Sequence, residues 1–158
     1  MRKEKNIVIA VLLILAVGVA VYSLSAKPAG PETEIRSLVT EFGKKMQFVT
    51  LTAPKETVIQ SIKENYGPYI SEGLLEGFVM APERAPGRLT ASPWPDRIEI
   101  ISIDPTDDGA YDVQGVVVEV TSTEVGTDKA ASQYQVALKV RNQNGTWVIT
   151  GFSKAIQS

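Results

Sequence analysis

The chain has 158 residues and a formal net charge of −2, which leaves room for one hydrophobic N-terminal segment and one domain of ordinary size. It contains no cysteine, which excludes disulfides and thiol nucleophiles, and no histidine, which removes the commonest general base and the commonest zinc ligand. Three of its 16 basic residues and one of its 18 acidic residues precede the first hydrophobic run, so the remainder carries a net charge of −4. Because no basic cluster is visible, we expect no nucleic-acid partner, and no motif indicates a metal or cofactor.

The N-terminus has the pattern of a membrane anchor. Residues 7–24 form a run of 18 residues without a charge. A helix of this length spans about 27 Å, close to the thickness of the hydrocarbon core of a bilayer. Arg2, Lys3 and Lys5 precede the run. By the positive-inside rule we expect residues 1–6 in the cytoplasm, residues 7–24 as a single-pass anchor in the cell membrane, and the remainder on the extracytoplasmic side.

A cleaved signal peptide is the alternative for this segment. Residues 23–25 offer small side chains at the two positions that a peptidase inspects, but the apolar run is longer than the roughly 7 to 15 residues of a signal sequence. Both interpretations deliver the rest of the chain to the same side of the membrane. Residues 25–31, with two prolines and one glycine, predict a short linker, and residues 32–157 an extracytoplasmic domain.

Three amphipathic helices are predicted in the first half of the domain. The first begins near Pro31, and its apolar residues share one face: Ile35, Leu38, Val39, Phe42, Met46 and Val49. The second starts just before Pro54 and ends at residues 65–68, where glycine and proline follow each other. Ser71 can cap a third, short helix that Pro82 ends.

A long connection without helical or strand periodicity follows. Residues 81–96 contain four prolines and one glycine, and a connection of this length inside a small domain is normally either functional or a crossover between layers. Prolines on both sides of Trp94 restrict the backbone there, so the indole has a preset direction. Two interpretations stay open: Trp94 closes one end of the core, or it forms a rigid wall of a ligand pocket.

Four strands are predicted after this connection. The first, residues 98–103, is apolar enough on both faces to be covered on both. In the second, residues 111–120, the apolar positions change face at Gly115, which predicts a β-bulge there and a strongly curved sheet. The same alternation leaves Glu119 on the solvent side.

The last two strands form a hairpin closed by Asn144 and Gly145. This dipeptide tolerates the positive φ angles of a type I′ turn, and it predicts a register in which Val140 faces Ile149 and Arg141 faces Val148. One apolar face then collects Leu138, Val140, Trp147 and Ile149. Because this face needs a cover, we expect the three helices to pack against it.

Three helices followed by a curved antiparallel sheet that ends in Gly145-Thr146-Trp147-Val148-Ile149 resemble the nuclear transport factor 2-like superfamily of cone-shaped, cystatin-like domains. A glycine turn followed by tryptophan and a β-branched residue is frequent in the last strand of that superfamily. The resemblance covers roughly residues 31–157. It implies an α+β fold in which three helices pack on a curved four-stranded antiparallel sheet.

The superfamily includes ketosteroid-isomerase-like and polyketide-cyclase-like enzymes as well as many non-catalytic domains. An isomerase of this fold is expected to pair an aspartate base with a tyrosine and a second acid, and no carboxylate of this chain matches those positions. We therefore expect a non-catalytic binding or assembly module of the bacterial cell envelope. The resemblance implies that its sheet forms a homodimer or contacts an envelope protein, with Val148 and Phe152 as apolar contacts.

Two alternatives remain open. A small molecule, bound in an isomerase-like or cyclase-like manner, would occupy a cone cavity lined by four aromatic residues: Tyr66, Phe78, Trp94 and Trp147. The membrane-anchored members of the superfamily also include conjugation and type IV secretion subunits, which implies a third role as a scaffold subunit of such an apparatus.

Overall fold

The structure is a computed structural model that describes residues 30–154. The predicted cytoplasmic segment 1–6, the predicted anchor 7–24 and most of the linker 25–31 lie outside the described residues. Within the described part of the chain, no helix is long and apolar enough to cross a bilayer. Residues 32–154 lie within one compact unit.

The three predicted helices are confirmed. They are α1 (Pro31–Lys45), α2 (Lys55–Tyr66) and α3 (Glu72–Met80), and a 3₁₀ turn, Met46–Phe48, follows α1 directly. The Ser71 hydroxyl accepts a hydrogen bond from the Leu74 amide at 3.3 Å, as expected of an N-cap. α1 carries glutamates in its first turn and lysines in its last, which suits the helix dipole.

The four predicted strands are confirmed as one antiparallel sheet. In sequence order they are β1 (Trp94–Pro105), β2 (Tyr111–Val120), β3 (Ser132–Gln143) and β4 (Thr146–Lys154), and neighbours along the chain are neighbours in the sheet. The fold class is therefore α+β, with three helices on a four-stranded antiparallel sheet. β1 begins four residues earlier than the hydrophobic pattern indicates, because Trp94 and Pro95 already pair with the end of β2.

The predicted hairpin register is also confirmed. Val140 pairs with Ile149, and Arg141 pairs with Val148. Asn144 and Gly145 have φ angles of 54° and 88°, the left-handed values that this turn needs. The register places Leu138, Val140 and Ile149 in the core, with Trp147 packed against it.

The bulge predicted at Gly115 lies on the neighbouring strand instead. β2 pairs with β3 without interruption, whereas β1 shifts register between Ile100 and Ser102. A methyl group at Gly115 would lie 2.9 Å from the Ile98 side chain and 3.1 Å from the Glu99 carbonyl oxygen. The glycine therefore permits close approach of β1, and β1 takes the extra residue, Ile101, whose exposed fraction is 64%.

The core lies between the helices and one face of the sheet, and α1 approaches β1 very closely there. A methyl group on Gly43 of α1 would lie 2.7 Å from the backbone nitrogen of Ile98. Two aromatic rings fill the space beside this contact, with Phe42 and Tyr66 at a centroid distance of 5.0 Å. Both side chains are completely buried. The glycine thus sets the spacing between the helix and the sheet.

Backbone hydrogen bonds attach two of the connections to neighbouring segments of the domain. The segment between α2 and α3 pairs with β4, since the Ser71 amide donates to the Ile149 carbonyl and the Ile149 amide to the Tyr69 carbonyl, both at 2.9 Å. The long connection after α3 is bonded to the segment between α1 and α2, since the Leu51 amide donates to the Arg88 carbonyl at 2.9 Å.

Replacing Gly43 with alanine should lower the free energy of unfolding by about 1–3 kcal/mol, because the added methyl group meets backbone atoms that cannot move aside. Gly77 of α3 is the matched control, since a methyl group there meets nothing within 4 Å. Gly77→Ala should raise the free energy of unfolding by about 0.5–1 kcal/mol.

Urea unfolding of a fragment with residues 30–158, followed by tryptophan fluorescence, measures both changes. A Gly43→Ala variant as stable as the parent would show that the close approach of α1 to β1 does not constrain the fold.

Candidate functional site

The face of the sheet opposite the helices carries mostly polar residues, and none of the helices within residues 30–154 covers it. We call it the open face and define it by six residues that the strand pairings bring to one side: Gln114, Gln135, Ala137, Lys139, Val148 and Ser153. Three of them are exposed and three are half-buried. Toward the end of β2 this side is apolar, since Val118 and Val120 lie there. Both valines are fully buried.

A shallow groove of about 420 Å³ crosses the open face. Two cross-strand rows line it. One row runs from Gln114 through Ala137 to Ser153, and the other from Asp112 through Lys139 to Gly151. Ala137 has a small side chain and Gly151 has none, so the floor of the groove lies below the polar side chains that form its walls. Such a surface can accept hydrogen bonds and charges from a partner, but it does not enclose a small molecule.

Charged side chains on this side are mostly paired. The Lys139 ammonium lies 3.8 Å from the Asp112 carboxylate on the next strand. The Arg141 guanidinium donates to the Asp108 carboxylate and so ties the β1–β2 turn to β3. Hydrogen bonds from the Thr106 hydroxyl and from Arg141 lower the pKa of Asp108 to about 2. Within residues 30–154, acidic side chains form no group of three that could hold a metal ion.

The two predicted interface residues lie on different sides of the sheet. Val148 is half-buried on the open face, opposite Arg141. Phe152, predicted on the same side, faces the helices instead. β4 contains an extra residue at Thr150, which reverses the alternation. Phe152 therefore pairs with Leu138, and its ring lies 6.1 Å from that of Phe42. Phe152 belongs to the packing around the core and is removed from the candidate interface.

The structure brings together only two of the four aromatic residues predicted to line a pocket. Tyr66 and Phe78 are neighbours in the core, with ring centroids 6.4 Å apart. The Tyr66 hydroxyl donates a hydrogen bond to the Pro86 carbonyl at 2.5 Å, and burial raises the pKa of Tyr66. This residue therefore fastens the long connection to α2 and presents no free hydroxyl to a ligand.

The two tryptophans lie at opposite corners of the sheet. Trp94 begins β1, opposite Val120, and the Arg88 guanidinium lies 5.3 Å from its ring. Trp147 is the second residue of β4 and packs edge-on against Tyr111 at 5.4 Å. Tyr111 and Val120 are the two ends of β2, so the corners are about 30 Å apart along the strand direction. The four aromatic residues therefore do not line one pocket.

A polar cluster that the sequence did not reveal occupies the helix-facing side of the sheet. Glu119 lies on the same face as Val117, which points toward the helices, and not on the solvent side as predicted. The Lys154 ammonium lies 4.5 Å from the centre of the Tyr134 ring. Burial, and then the nearby charge of Glu119, raise the pKa of Tyr134. The uninterrupted alternation of β2 through Gly115 is the signal that could have placed Glu119 there.

Comparison with known proteins adds one weak structural likeness. No family model and no curated protein matches the chain. A similar solved structure is the crystal structure of the intermembrane space region of chloroplast protein ARC6, with 18% sequence identity and a TM-score of 0.46. The alignment covers 80% of this chain and 98% of that one.

The hydrogen bonds that the Asp108 carboxylate accepts from Thr106 and Arg141 should make stability depend on pH at the acid end. The folded-state pKa of Asp108, about 2, is below the ordinary value of about 3.9. Its stabilising contribution is therefore complete above about pH 4 and is lost as the pH falls through about 2. Carbon-detected NMR of the Asp108 carboxyl should give a midpoint near 2, and Asp108→Asn should flatten the fall in stability between pH 4 and 2. A midpoint near the ordinary value in the parent would contradict the hydrogen bonds from Thr106 and Arg141 to Asp108.

Proposed function

We propose that this protein is a membrane-anchored, extracytoplasmic, non-catalytic binding or assembly module of the cell envelope, and that its open face binds a protein partner. The observation that carries the proposal is the groove of about 420 Å³ across the centre of the sheet. Its polar walls and low floor suit a protein surface, since protein interfaces combine small apolar contacts with polar side chains that hydrogen-bond.

The packing of the helix-covered face supports this choice over a pocket in a cone. Among residues 30–154 the buried side chains belong to apolar and aromatic residues, and the charged side chains all reach the surface. A small-molecule site needs convergent polar groups in an enclosed space. Here Tyr66 and Phe78 fill the space between the helices and the sheet with their own rings.

Membership of the nuclear transport factor 2-like superfamily is part of the proposal. Its support is the order of elements, three helices followed by a four-stranded antiparallel meander, together with the predicted Gly145–Ile149 pattern at the start of the last strand. The partner on the open face is an envelope protein or a second copy of this chain, and the anchor at residues 7–24 holds the domain at the membrane. A scaffold role in a conjugation or secretion apparatus is one form of the same function.

Single cysteines test the open face directly, because the natural chain has none. Gln135→Cys and Ser153→Cys, labelled with a benzophenone maleimide in membranes, should give a discrete cross-linked product, since both residues are exposed on the open face. Val125→Cys, in the β2–β3 loop and 54% exposed, is the matched control. A product of twice 17.1 kDa identifies a homodimer, and another mass identifies an envelope partner.

A yield from the open face no higher than that from Val125→Cys would contradict the proposal. Because both labelled positions are exposed, the substitutions should leave the core unchanged, and the unfolding midpoint of each variant serves as the check.

One observation favours a second candidate function, which is small-molecule binding on the helix-facing side. The cluster of Glu119, Tyr134 and Lys154 combines an acid, a neutral hydroxyl and an ammonium group on that side of the sheet. These groups could orient a polar ligand with an aromatic or apolar body.

Native mass spectrometry of the full chain in detergent tests this candidate. We expect the parent protein to retain the mass of a bound molecule. That mass should disappear in Tyr134→Phe and in Lys154→Met, which remove groups of the cluster, and should persist in Gln135→Ala, which changes only the open face. A bare chain mass in the parent protein under the same conditions would speak against it.

A further inference from the structure

The helix α3 leaves part of its apolar surface uncovered. Of its apolar side chains only Phe78 is buried, Leu75 and Val79 are half-buried, and 81% of Met80 is exposed. A groove of about 330 Å³ runs along the helix and is lined by six residues: Lys63, Glu72, Leu75, Glu76, Val79 and Met80. It lies between α2 and α3, on the helical side of the domain, and is separate from the open face.

The solvent side of α3 offers room for another backbone. Gly73 and Gly77 are one turn apart, and a methyl group on either would meet nothing within 4 Å. Neither glycine is needed for packing within the described domain, although each weakens the helix relative to alanine. Because neither position carries a side chain, a second helix could approach the backbone of α3 closely beside the groove.

The charges of the groove decide what could occupy it. Lys63 stands on the α2 wall, while Glu72 and Glu76 stand one turn apart on the α3 wall. None of the three forms an ion pair within residues 30–154. An occupant should therefore carry basic residues toward α3 and can carry an acidic residue toward α2.

Two other occupants fit this pattern poorly. A second copy packing α3 against α3 around a two-fold axis near Gly77 would bring the two Glu76 carboxylates together, and like charges at an interface are repulsive. An anionic lipid surface would be repelled by Glu72 and Glu76, which are both exposed.

We propose that the α2–α3 groove docks an amphipathic helix of a partner protein, whose apolar stripe contacts Leu75, Val79 and Met80 and whose lysine or arginine residues face Glu72 and Glu76. Helix-in-groove recognition reads side chains at i, i+3 or i+4, and i+7. The nine residues of α3 span about 13 Å, or about two and a half turns, which is long enough for the roughly 10 Å between residues i and i+7 of such a helix. The site lies beyond the proposed function, because it is on the other side of the sheet from the open face.

Photo-cross-linking of the full chain in membranes tests the proposal. The probe is p-benzoylphenylalanine in place of Met80, which is mostly exposed, so the core is undisturbed. The same probe in place of Leu89, which is 58% exposed elsewhere, is the control. We expect a product at Met80 whose cross-linked peptide, read by mass spectrometry, has apolar residues at helical spacing with lysine or arginine on one flank.

Reversing the acidic wall gives the second measurement. Glu72→Lys combined with Glu76→Lys should lower the yield at Met80 about tenfold, because attractive pairs become repulsive, and should leave the cross-links from Gln135→Cys on the open face unchanged. Glu72→Gln combined with Glu76→Gln should give an intermediate yield. The proposal would be overturned if the product had twice the chain mass, if only lipid were cross-linked, or if the partner peptide lacked the basic flank. It would also be overturned if the cross-linking yield did not respond to either double variant, or if no product exceeded the Leu89 control.

Discussion

The close contact between α1 and β1 is the constraint on which the rest of the domain depends. At Gly43 the helix lies so near to Ile98 that an added methyl group would be 2.7 Å from the Ile98 backbone nitrogen. At that distance Phe42 lies beside Tyr66 on one side and Phe152 on the other. Tyr66 in turn holds the long connection through the Pro86 carbonyl. A wider spacing would open a cavity among these rings, and cavities of that kind are costly in a packed core.

Local signals were sufficient for most of the fold. The Asn144-Gly145 turn fixed the hairpin register because its positive φ angles admit few alternatives. Ser71 and the prolines marked the helix ends through capping and backbone sterics. Gly115 was ambiguous, because a glycine within a strand can mark either a bulge or the close approach of another strand. Only the contact with Ile98, which is distant in sequence, separates these two meanings.

The site residues were harder to predict, because their positions depend on long-range geometry. An aromatic side chain is a strong signal of burial, but it does not say what the ring is buried against. Trp94 and Trp147 both lie at the start of strands, as the first residue of β1 and the second of β4, and only the strand order shows that they occupy opposite corners. Phe152 was misplaced by a single extra residue at Thr150, which the alternation of apolar and polar residues does not mark. One residue is enough to move a side chain across the sheet.

The two sides of the domain differ in the kind of contact that they can make. The open face is polar, and its charges at Asp112, Lys139 and Arg141 are already paired within the sheet, so a partner there gains mainly hydrogen bonds and shape complementarity. The groove along α3 is apolar, and its charges at Lys63 and Glu72 have no ion-pair partner within residues 30–154. Charge steering therefore acts on the helical side more than on the open face. A domain with two such surfaces can hold two partners at once, and tethering raises their effective concentration without any new contact between them.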